Sequence, residues 1–178
     1  AGITVTSLPG ACACITALTM SGQPTRRFAF EAFLPYDKKE RTQILENLRN
    51  ETRTIIIYEA PHHLKKTLKE CREYLGNRNM TVCKELTKRY EQKRKATLDE
   101  MIAYYEENEP RGEYVLIFEG KSLQELKEEK QQEWNQLTVQ EHMEHYLEKG
   151  MDKKSAMKQV AKDRGVSKRD IYQELLKE

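Results

Sequence analysis

TIIIYEAPHHLKKTLKECREYLG, residues 54–76, carries the clearest strand and helix signals in the chain. Its first five residues form an unbroken run rich in β-branched side chains, which suits a strand buried on both faces. Pro61 fits the first position of a helix, and Gly76 fits the residue just beyond its end. The apolar residues that recur on one face of this helix are Leu64, Leu68, Cys71 and Leu75. A buried strand followed directly by such a helix indicates an α/β protein.

Alternating strand and helix signals continue on both sides of this stretch. Further strands are predicted over residues 28–34, 80–86, 93–97 and 113–118, and further helices from Asp37 and over residues 98–107. Asp37 with Glu40 three residues later is a pattern typical of a helix start. Several connections are too short for the crossovers that parallel strands require. The sequence therefore predicts an α/β domain with a mixed sheet over residues 1–121.

The remaining residues differ in composition from this domain. Residues 122–136 are rich in Glu, Gln and Lys and predict a helical linker. Residues 137–178 predict three helices, and the last two are joined by a glycine-containing turn before Ser167, as in a helix-turn-helix. Residues 121–178 contain twelve Lys or Arg and twelve Asp or Glu. A module that reads DNA usually has a basic excess. The balanced charge therefore favours a docking or RNA-assisting role for Lys168 and Arg169 over independent DNA recognition.

Composition excludes several classes of protein. The chain has 178 residues, 34% of them charged, and a net charge of +2, which is too small to indicate nucleic-acid binding. No run approaches the roughly 18 apolar residues that span a bilayer, and the first residues lack a secretory signal. The four cysteines are sparse and read as reduced thiols. These features predict a cytoplasmic protein that does not bind membranes.

A second informative stretch is LPGACACITALTMSGQPT, residues 8–25. It predicts a turn at Pro9 and Gly10 followed by a helix whose first residues, Ala11, Cys12 and Ala13, are small. Small side chains let a ligand approach closely, and the free first-turn N–H groups can bind it. Such a motif belongs in the middle of an enzyme, so we expect that the chain begins partway through a protein.

Two carboxylates are candidate site residues because each follows the end of a predicted strand. They are Glu59 and Glu85. Open α/β sheets bind ligands beyond their strand ends. A salt bridge, for example to Arg89 or Arg111, explains either carboxylate equally well. No catalytic base is identified from the sequence.

Several basic groups lie near strand–helix junctions, and they either solvate the surface or form a shared phosphate-binding face. They include Arg26, Arg27, Lys38, Lys39, Arg41, residues 65–66 and residues 93–95. His62 and His63 are candidates for the same contact. Adjacent helical residues point about 100° apart, so this pair does not suit one metal ion. His142 with His145, and Cys12 with Cys14, lack further ligands, and no metal site is predicted.

The motifs LPGACA, GQPTRRFAFEAFLP, YEAPHHL, KELTKRYE and PRGEYVLIFEG occur in this order. In that order they resemble the tetrapyrrole (corrin/porphyrin) methylase superfamily, and most closely its ribosomal RNA branch. The resemblance implies the C-terminal mixed-sheet domain of that fold, followed by a helix-turn-helix-like extension. It also implies methyl transfer from S-adenosylmethionine to the ribose 2′-hydroxyl of a decoding-centre cytidine in small-subunit ribosomal RNA. The implied partners are that RNA or the 30S subunit, and a second copy of the chain.

The resemblance also implies site residues. The family's cofactor lies between two α/β domains, and the glycine-rich segments of the first domain are not found in this sequence. The implied cofactor-binding residues are Pro9, Gly10, Cys12, Ala13, Tyr58, Glu59, Ala60, Lys84, Glu85, Leu86 and Gly112. The candidate RNA-binding residues are Arg26, Arg27, Lys38, Lys39, His62, His63, Lys168 and Arg169. His63 stands where this branch commonly has arginine. We expect the 178 residues of this chain alone to bind S-adenosylmethionine weakly or not at all.

Two other functions remain open from the sequence. A small-molecule tetrapyrrole methylase would share the fold, but it would not need the clustered basic residues or the helical tail. The other is a non-catalytic RNA-binding or interaction module, in which the fold has lost its catalytic activity. The prediction that we carry forward is the ribosomal RNA methyltransferase.

Overall fold

The computed structural model describes residues 2–176, which form two compact units, one up to residue 121 and one from residue 122. The first unit contains five strands: β1 Phe28–Phe33, β2 Thr54–Glu59, β3 Asn79–Lys84, β4 Gln92–Thr97 and β5 Tyr114–Phe118. Its helices are α1 Ala13–Ser21, α2 Lys38–Leu48, α3 Pro61–Leu75 and α4 Leu98–Glu107. None of the described helices is long and apolar enough to cross a membrane.

The strands form one sheet in the order β1-β2-β5-β3-β4. Strands β1 and β2 are parallel, and every other neighbouring pair is antiparallel. This arrangement confirms the predicted mixed sheet. Because β5 runs antiparallel to both of its neighbours, β1, β2 and β3 all point the same way. The carboxyl ends of these three strands therefore lie along the same side of the sheet. We call this row of strand ends the carboxyl edge, as distinct from the edge strands β1 and β4.

The interior strand β2 separates two apolar cores. Ile55 and Ile57 belong to the core on the side of α2, α3 and α4. Ile56 belongs to a smaller core beneath α1. All three side chains are fully buried, which confirms that this strand is buried on both faces. A helix layer therefore covers each side of the sheet, and the thinner layer is the single helix α1.

The first helix differs from its prediction. It begins at Ala13 rather than Ala11, and Cys12 is the N-cap residue, in an extended conformation and without a side-chain capping hydrogen bond. Residues 2–12 form neither helix nor strand, and their side chains are exposed. A Cβ added to Gly10 would have no neighbour within 4 Å. The small residues of this segment therefore make no close approach to the described part of the chain.

The second unit is entirely helical. Its helices are α5 Leu123–Asn135, α6 Val139–Glu148, α7 Lys153–Arg164 and α8 Lys168–Leu175. Apolar residues of α6, α7 and α8, including Met143, Val160 and Ile171, form its core. Helix α5 occupies most of residues 122–136 and has no buried residue, but its Trp134 stacks on His142 with the ring centres 3.9 Å apart. A turn through Gly165 joins α7 to α8, as the sequence predicts.

Candidate functional site

A cleft of about 450 Å³ opens at the carboxyl edge, where α1 begins. Four of the predicted cofactor residues line it: Ala13, Tyr58, Glu59 and Ala60. They meet there because the start of α1 lies over the last residues of β2. The other lining residues are Phe33, Pro61, Glu113, Tyr114 and Val115. The cleft therefore joins residues that are about 100 positions apart in the sequence.

The cleft combines apolar walls with a few polar groups. Phe33 and Tyr58 are in edge-to-face contact, with their ring centres 5.6 Å apart. Burial raises the pKa of the Tyr58 hydroxyl, and the nearby Cys14 thiol contributes to the same shift. Tyr58 therefore stays protonated at neutral pH, with its hydroxyl beside Cys14 of α1.

Glu59 is held by a buried network. Its side chain is only 5% exposed and accepts hydrogen bonds from the Thr67 hydroxyl and from the Ala60 N–H group, the latter at 2.8 Å. The Arg41 guanidinium lies 4.0 Å from its carboxylate. Arg41 also donates to the Thr67 hydroxyl at 2.6 Å and to Glu70 at 2.5 Å. The salt bridge anticipated for this carboxylate is therefore present, but its partner is Arg41 rather than Arg89 or Arg111.

Glu85 lies beyond the end of β3 in a left-handed backbone conformation, with φ +51°. Its carboxylate accepts the Glu113 N–H group at 2.9 Å and pairs with Lys88 at 3.2 Å. The hydrogen bond from the Glu113 N–H group is the main cause that lowers the pKa of Glu85, and Lys88 is the second cause. Lys88, rather than Arg89 or Arg111, is thus its salt-bridge partner. Glu85 does not line the cleft but holds Glu113, which does.

Gly112 packs directly against Glu85. A Cβ at this position would lie 2.5 Å from the Glu85 Oε1 atom, and the backbone φ is +84°. The positive φ favours glycine, since side chains there are strained, whereas the flexible Glu85 side chain could move away from a Cβ. Gly112 therefore acts on the cleft through the loop that carries Glu113.

The other predicted cofactor residues lie outside the cleft. Pro9 and Gly10 are exposed in the segment before α1. Leu86 packs against the core beneath α1, and Lys84 lines a separate polar cavity of about 380 Å³ with Gln92 and Arg111. Cys12 is exposed next to Ala13, and its Sγ lies 3.4 Å from that of Cys14.

A second cavity of about 440 Å³ adjoins the first and shares Phe33, Glu59 and Ala60 with it. His63 and Lys66 line it, and the rings of Tyr36 and His63 are in contact at 5.4 Å. The Lys66 ammonium, which pairs with Glu70 at 3.6 Å, can also contact a phosphate or another anion there.

The predicted RNA-binding residues do not share one surface. His62, Lys38 and Lys39 lie at the starts of α3 and α2, close to the carboxyl edge. Arg26 and Arg27 precede β1, and the neighbouring Pro24 carbonyl accepts a hydrogen bond from Thr54 at the start of β2. These two arginines therefore lie at the opposite end of the sheet. Lys168 and Arg169 are exposed at the start of α8 in the helical unit.

Sequence reasoning missed the cleft residues that β5 contributes. Tyr114 pairs with Glu59, and Val115 pairs with Tyr58, in an antiparallel register. No local pattern specifies which distant strand lies beside β2, so only the three-dimensional pairing reveals these residues. Arg41, grouped with the surface cations in the sequence, is instead buried, because it lies on the same face of α2 as Leu45 and Leu48. Within residues 2–176 no three His, Cys, Asp or Glu side chains are grouped so that they could hold a metal ion.

Comparison with known proteins is consistent with this geometry. Ribosomal RNA small subunit methyltransferase I of Halalkalibacterium halodurans is 47% identical over 171 residues, which cover 96% of this chain and 58% of that protein. The protein of the same name from Bacillus subtilis is 46% identical over 168 residues, which cover 94% of this chain and 57% of that protein. The chain thus spans less than two thirds of the length of these curated relatives.

A solved structure and a family model complete the comparison. The structure of the methyltransferase CobJ superposes with a TM-score of 0.54 at 16% identity, covering 67% of this chain and 52% of CobJ. This likeness confirms the predicted fold class. The family model described as Tetrapyrrole (Corrin/Porphyrin) Methylases matches residues 1–102. Because that match covers more than half of the chain, the chain belongs to the tetrapyrrole (corrin/porphyrin) methylase family.

Proposed function

We propose that this chain belongs to an S-adenosylmethionine-dependent methyltransferase that acts on the ribose 2′-hydroxyl of a cytidine in small-subunit ribosomal RNA. In this proposal the cleft at the carboxyl edge forms one wall of the methyl-donor site. The observation that carries it is the convergence of Ala13, Tyr58, Glu59 and Ala60 on that cleft. The curated relatives, 46–47% identical, carry the matching name. A region present in the longer relatives would supply the other wall.

The cleft suits a ligand of this kind. Its volume, about 450 Å³, falls within the common range for small-molecule sites. The apolar surfaces of Phe33 and Val115 suit a purine ring or a thioether chain. Helix α1 begins at the cleft without a side-chain cap, so its first N–H groups can bind a carboxylate. The Glu59 and Glu113 carboxylates also line the cleft, and each is paired with a cation of the chain, Arg41 and Lys88.

The donor, when bound, supplies an electrophilic methyl group. The residues of this chain would position the donor and exclude water, so that the ribose hydroxyl meets the methyl group in line. Neither candidate carboxylate suits a general base. The pKa of Glu85 is lowered by the Glu113 N–H group and Lys88, whereas a base that works near neutral pH is favoured by a raised pKa. Glu59 is buried in its network with Arg41 and Thr67. Orientation is therefore the main contribution that we assign to these residues.

The adjoining cavity suits the RNA side of the reaction. His63 and Lys66 line it, and it shares the Glu59–Ala60 wall with the donor cleft. A phosphate held there would lie next to the methyl donor. We therefore propose that His62, His63 and Lys66 contact the RNA backbone close to the methylated nucleotide.

A homodimer forms part of the same proposal. Strand β1 lies at one edge of the sheet, and Phe30 on that strand is 44% exposed. An exposed aromatic ring on an edge strand suits contact with a second copy. Sedimentation experiments that compare the molar mass of the protein with that of a Phe30→Asp variant test this proposal. Equal molar masses would contradict it.

The test of the proposed function is removal of the gene. Ribose-methylation mapping of small-subunit ribosomal RNA should then lose a single 2′-O-methylcytidine, and a plasmid copy of the gene should restore it. An unchanged RNA pattern would remove the ribosomal assignment. An unchanged RNA pattern together with altered tetrapyrrole metabolites would favour the small-molecule methylase, which shares the fold.

A further inference from the structure

Strand β4 forms the edge of the sheet opposite β1 and carries a row of cations. Its sequence is QKRKAT, and residues 92–95 are exposed. Lys93 lies opposite Cys83 and Lys95 opposite Thr81, so both lysines project on the α1 side of the sheet. Arg94 projects on the other side, where its guanidinium lies 3.7 Å from the ring centre of Tyr104. The edge strand is therefore cationic on both faces and has no acidic residue.

The loop before β4 extends this surface toward the carboxyl edge. Arg89 and Tyr90 are exposed, and the Arg89 guanidinium lies 5.6 Å from the Tyr90 ring centre. The Tyr90 side chain is 67% exposed, which is unusual for a large aromatic residue. The loop starts at Glu85, whose carboxylate holds Glu113 at the donor cleft. A ligand that follows β4 and this loop would therefore arrive at the cleft.

The positive charge of this region is local. Residues 84–95 contain six Lys or Arg and two Glu, whereas the whole chain has 31 Lys or Arg and 29 Asp or Glu. Both local acids have partners: Glu85 pairs with Lys88, and Glu91 accepts the Thr87 N–H group at 2.7 Å. Lys93 donates to the Met20 carbonyl at 3.1 Å and retains two further N–H donors. With the Glu85–Lys88 pair set aside, five Lys or Arg remain beside one carboxylate, that of Glu91, so the region keeps a local positive charge.

We propose that Arg89, Tyr90, Lys93, Arg94 and Lys95, which we call the β4 surface, bind single-stranded RNA and lead it to the donor cleft. The lysines and arginines contact phosphates, and the Tyr90 ring stacks on a base. This inference rests on the proposed function and specifies where its RNA substrate is held. Another explanation of lysines on an edge strand is that they prevent pairing with other chains.

The experiment compares the 178-residue chain with a Lys93→Gln/Lys95→Gln variant. The probe is a fluorescein-labelled, unstructured RNA, and its anisotropy is followed over a series of salt concentrations. For single strands the logarithmic salt slope is about −0.7 per phosphate contact, so losing two contacts should flatten it by about 1.4. Affinity at low salt should fall at least about fivefold, and Tyr90→Ala should weaken binding with little change in slope. A Lys127→Gln/Lys130→Gln variant on exposed helix α5 removes the same charge and should bind as the parent does.

Three results would contradict the proposal that the β4 surface binds RNA. They are failure of the parent chain to bind the RNA, equal affinity and slope in the β4 and α5 variants, or self-association of the β4 variant with unchanged RNA affinity. The third result would assign the lysines to protection of the edge. Failure of the proposed function is distinguishable, because gene deletion would then leave ribosomal RNA methylation unchanged. If deletion abolishes methylation and a gene encoding the β4 variant fully restores it at limiting expression, only the β4 surface is wrong.

Discussion

Replacing Arg41 with Met tests whether the Glu59 carboxylate is held mainly by its buried network. Arg41 is only 9% exposed and contacts Glu70, Thr67 and Glu59 at 2.5, 2.6 and 4.0 Å. The variant keeps the aliphatic bulk and removes the cation, so Glu59 retains only Thr67 and the Ala60 N–H group. Breaking a buried ion pair costs about 3–5 kcal/mol. Because Glu59 keeps these two hydrogen bonds, we expect a loss of about 2–3 kcal/mol in the free energy of unfolding.

Urea unfolding followed by far-ultraviolet circular dichroism measures this loss. Fluorescence of Trp134, the single tryptophan, reports the helical unit and should not change. The double variant Arg41→Met/Glu59→Gln removes the uncompensated charge and should recover stability to within about 1 kcal/mol of the parent. Arg49→Met on the exposed end of α2 is the matched control and should cost less than about 0.5 kcal/mol. A similarly small loss for Arg41→Met, or no recovery in the double variant, would refute this account of Glu59.

Three further predictions concern other parts of the chain. Gly112→Ala should lower the free energy of unfolding by about 1–2 kcal/mol because of its positive φ, and adding Glu85→Ala should not restore the lost stability, as urea unfolding will show. Cys12 should be alkylated by iodoacetamide much faster than Cys71, because the Ile15 N–H group lowers the Cys12 pKa and burial raises the Cys71 pKa to about 12; mass spectrometry of quenched samples measures both rates. Burial lowers the pKa of His142, so the folded helical unit disfavours its protonated form. Stability of that unit, measured by Trp134 fluorescence in urea, should fall as the pH drops below about 6.5, the pKa of unfolded histidine, and His142→Phe should remove this dependence.

Local signals in the sequence were sufficient for most elements of the fold. Helix α4 has the predicted bounds, Leu98–Glu107, and Asp37 caps α2 through the Glu40 N–H group as expected. The β-branched run of β2 is buried on both faces. The ordered motifs also identified the family, and the family model confirms it.

Strand pairing and side-chain partners were not predictable in the same way. The cleft depends on β5 lying beside β2, which places Tyr114 opposite Glu59, and this register arises from packing of the whole sheet. Glu59 and Glu85 were recognised as strand-end carboxylates, but the arginines named as their partners were not the cations that the structure places beside them. Arg41 reaches Glu59 from a helix, and Lys88 reaches Glu85 from the following loop.

Helix α1 shows a third limit. Small residues at 11–13 suggested a helix start, but the helix begins at Ala13. Residues 2–12 lack described contacts that would fix them in a turn, and small side chains alone do not specify where the first hydrogen-bonded turn forms.

The measurement that tests the donor cleft most directly is complementation by variants of α1. Ala13→Trp would fill the cleft from an exposed position, whereas Thr19→Trp places the same ring on an exposed part of that helix away from the cleft. In a strain lacking the gene, we expect Thr19→Trp to restore the 2′-O-methylcytidine of small-subunit ribosomal RNA and Ala13→Trp, present at an equal protein level, to leave it absent. Full restoration by Ala13→Trp would contradict the assignment of this cleft to the methyl donor.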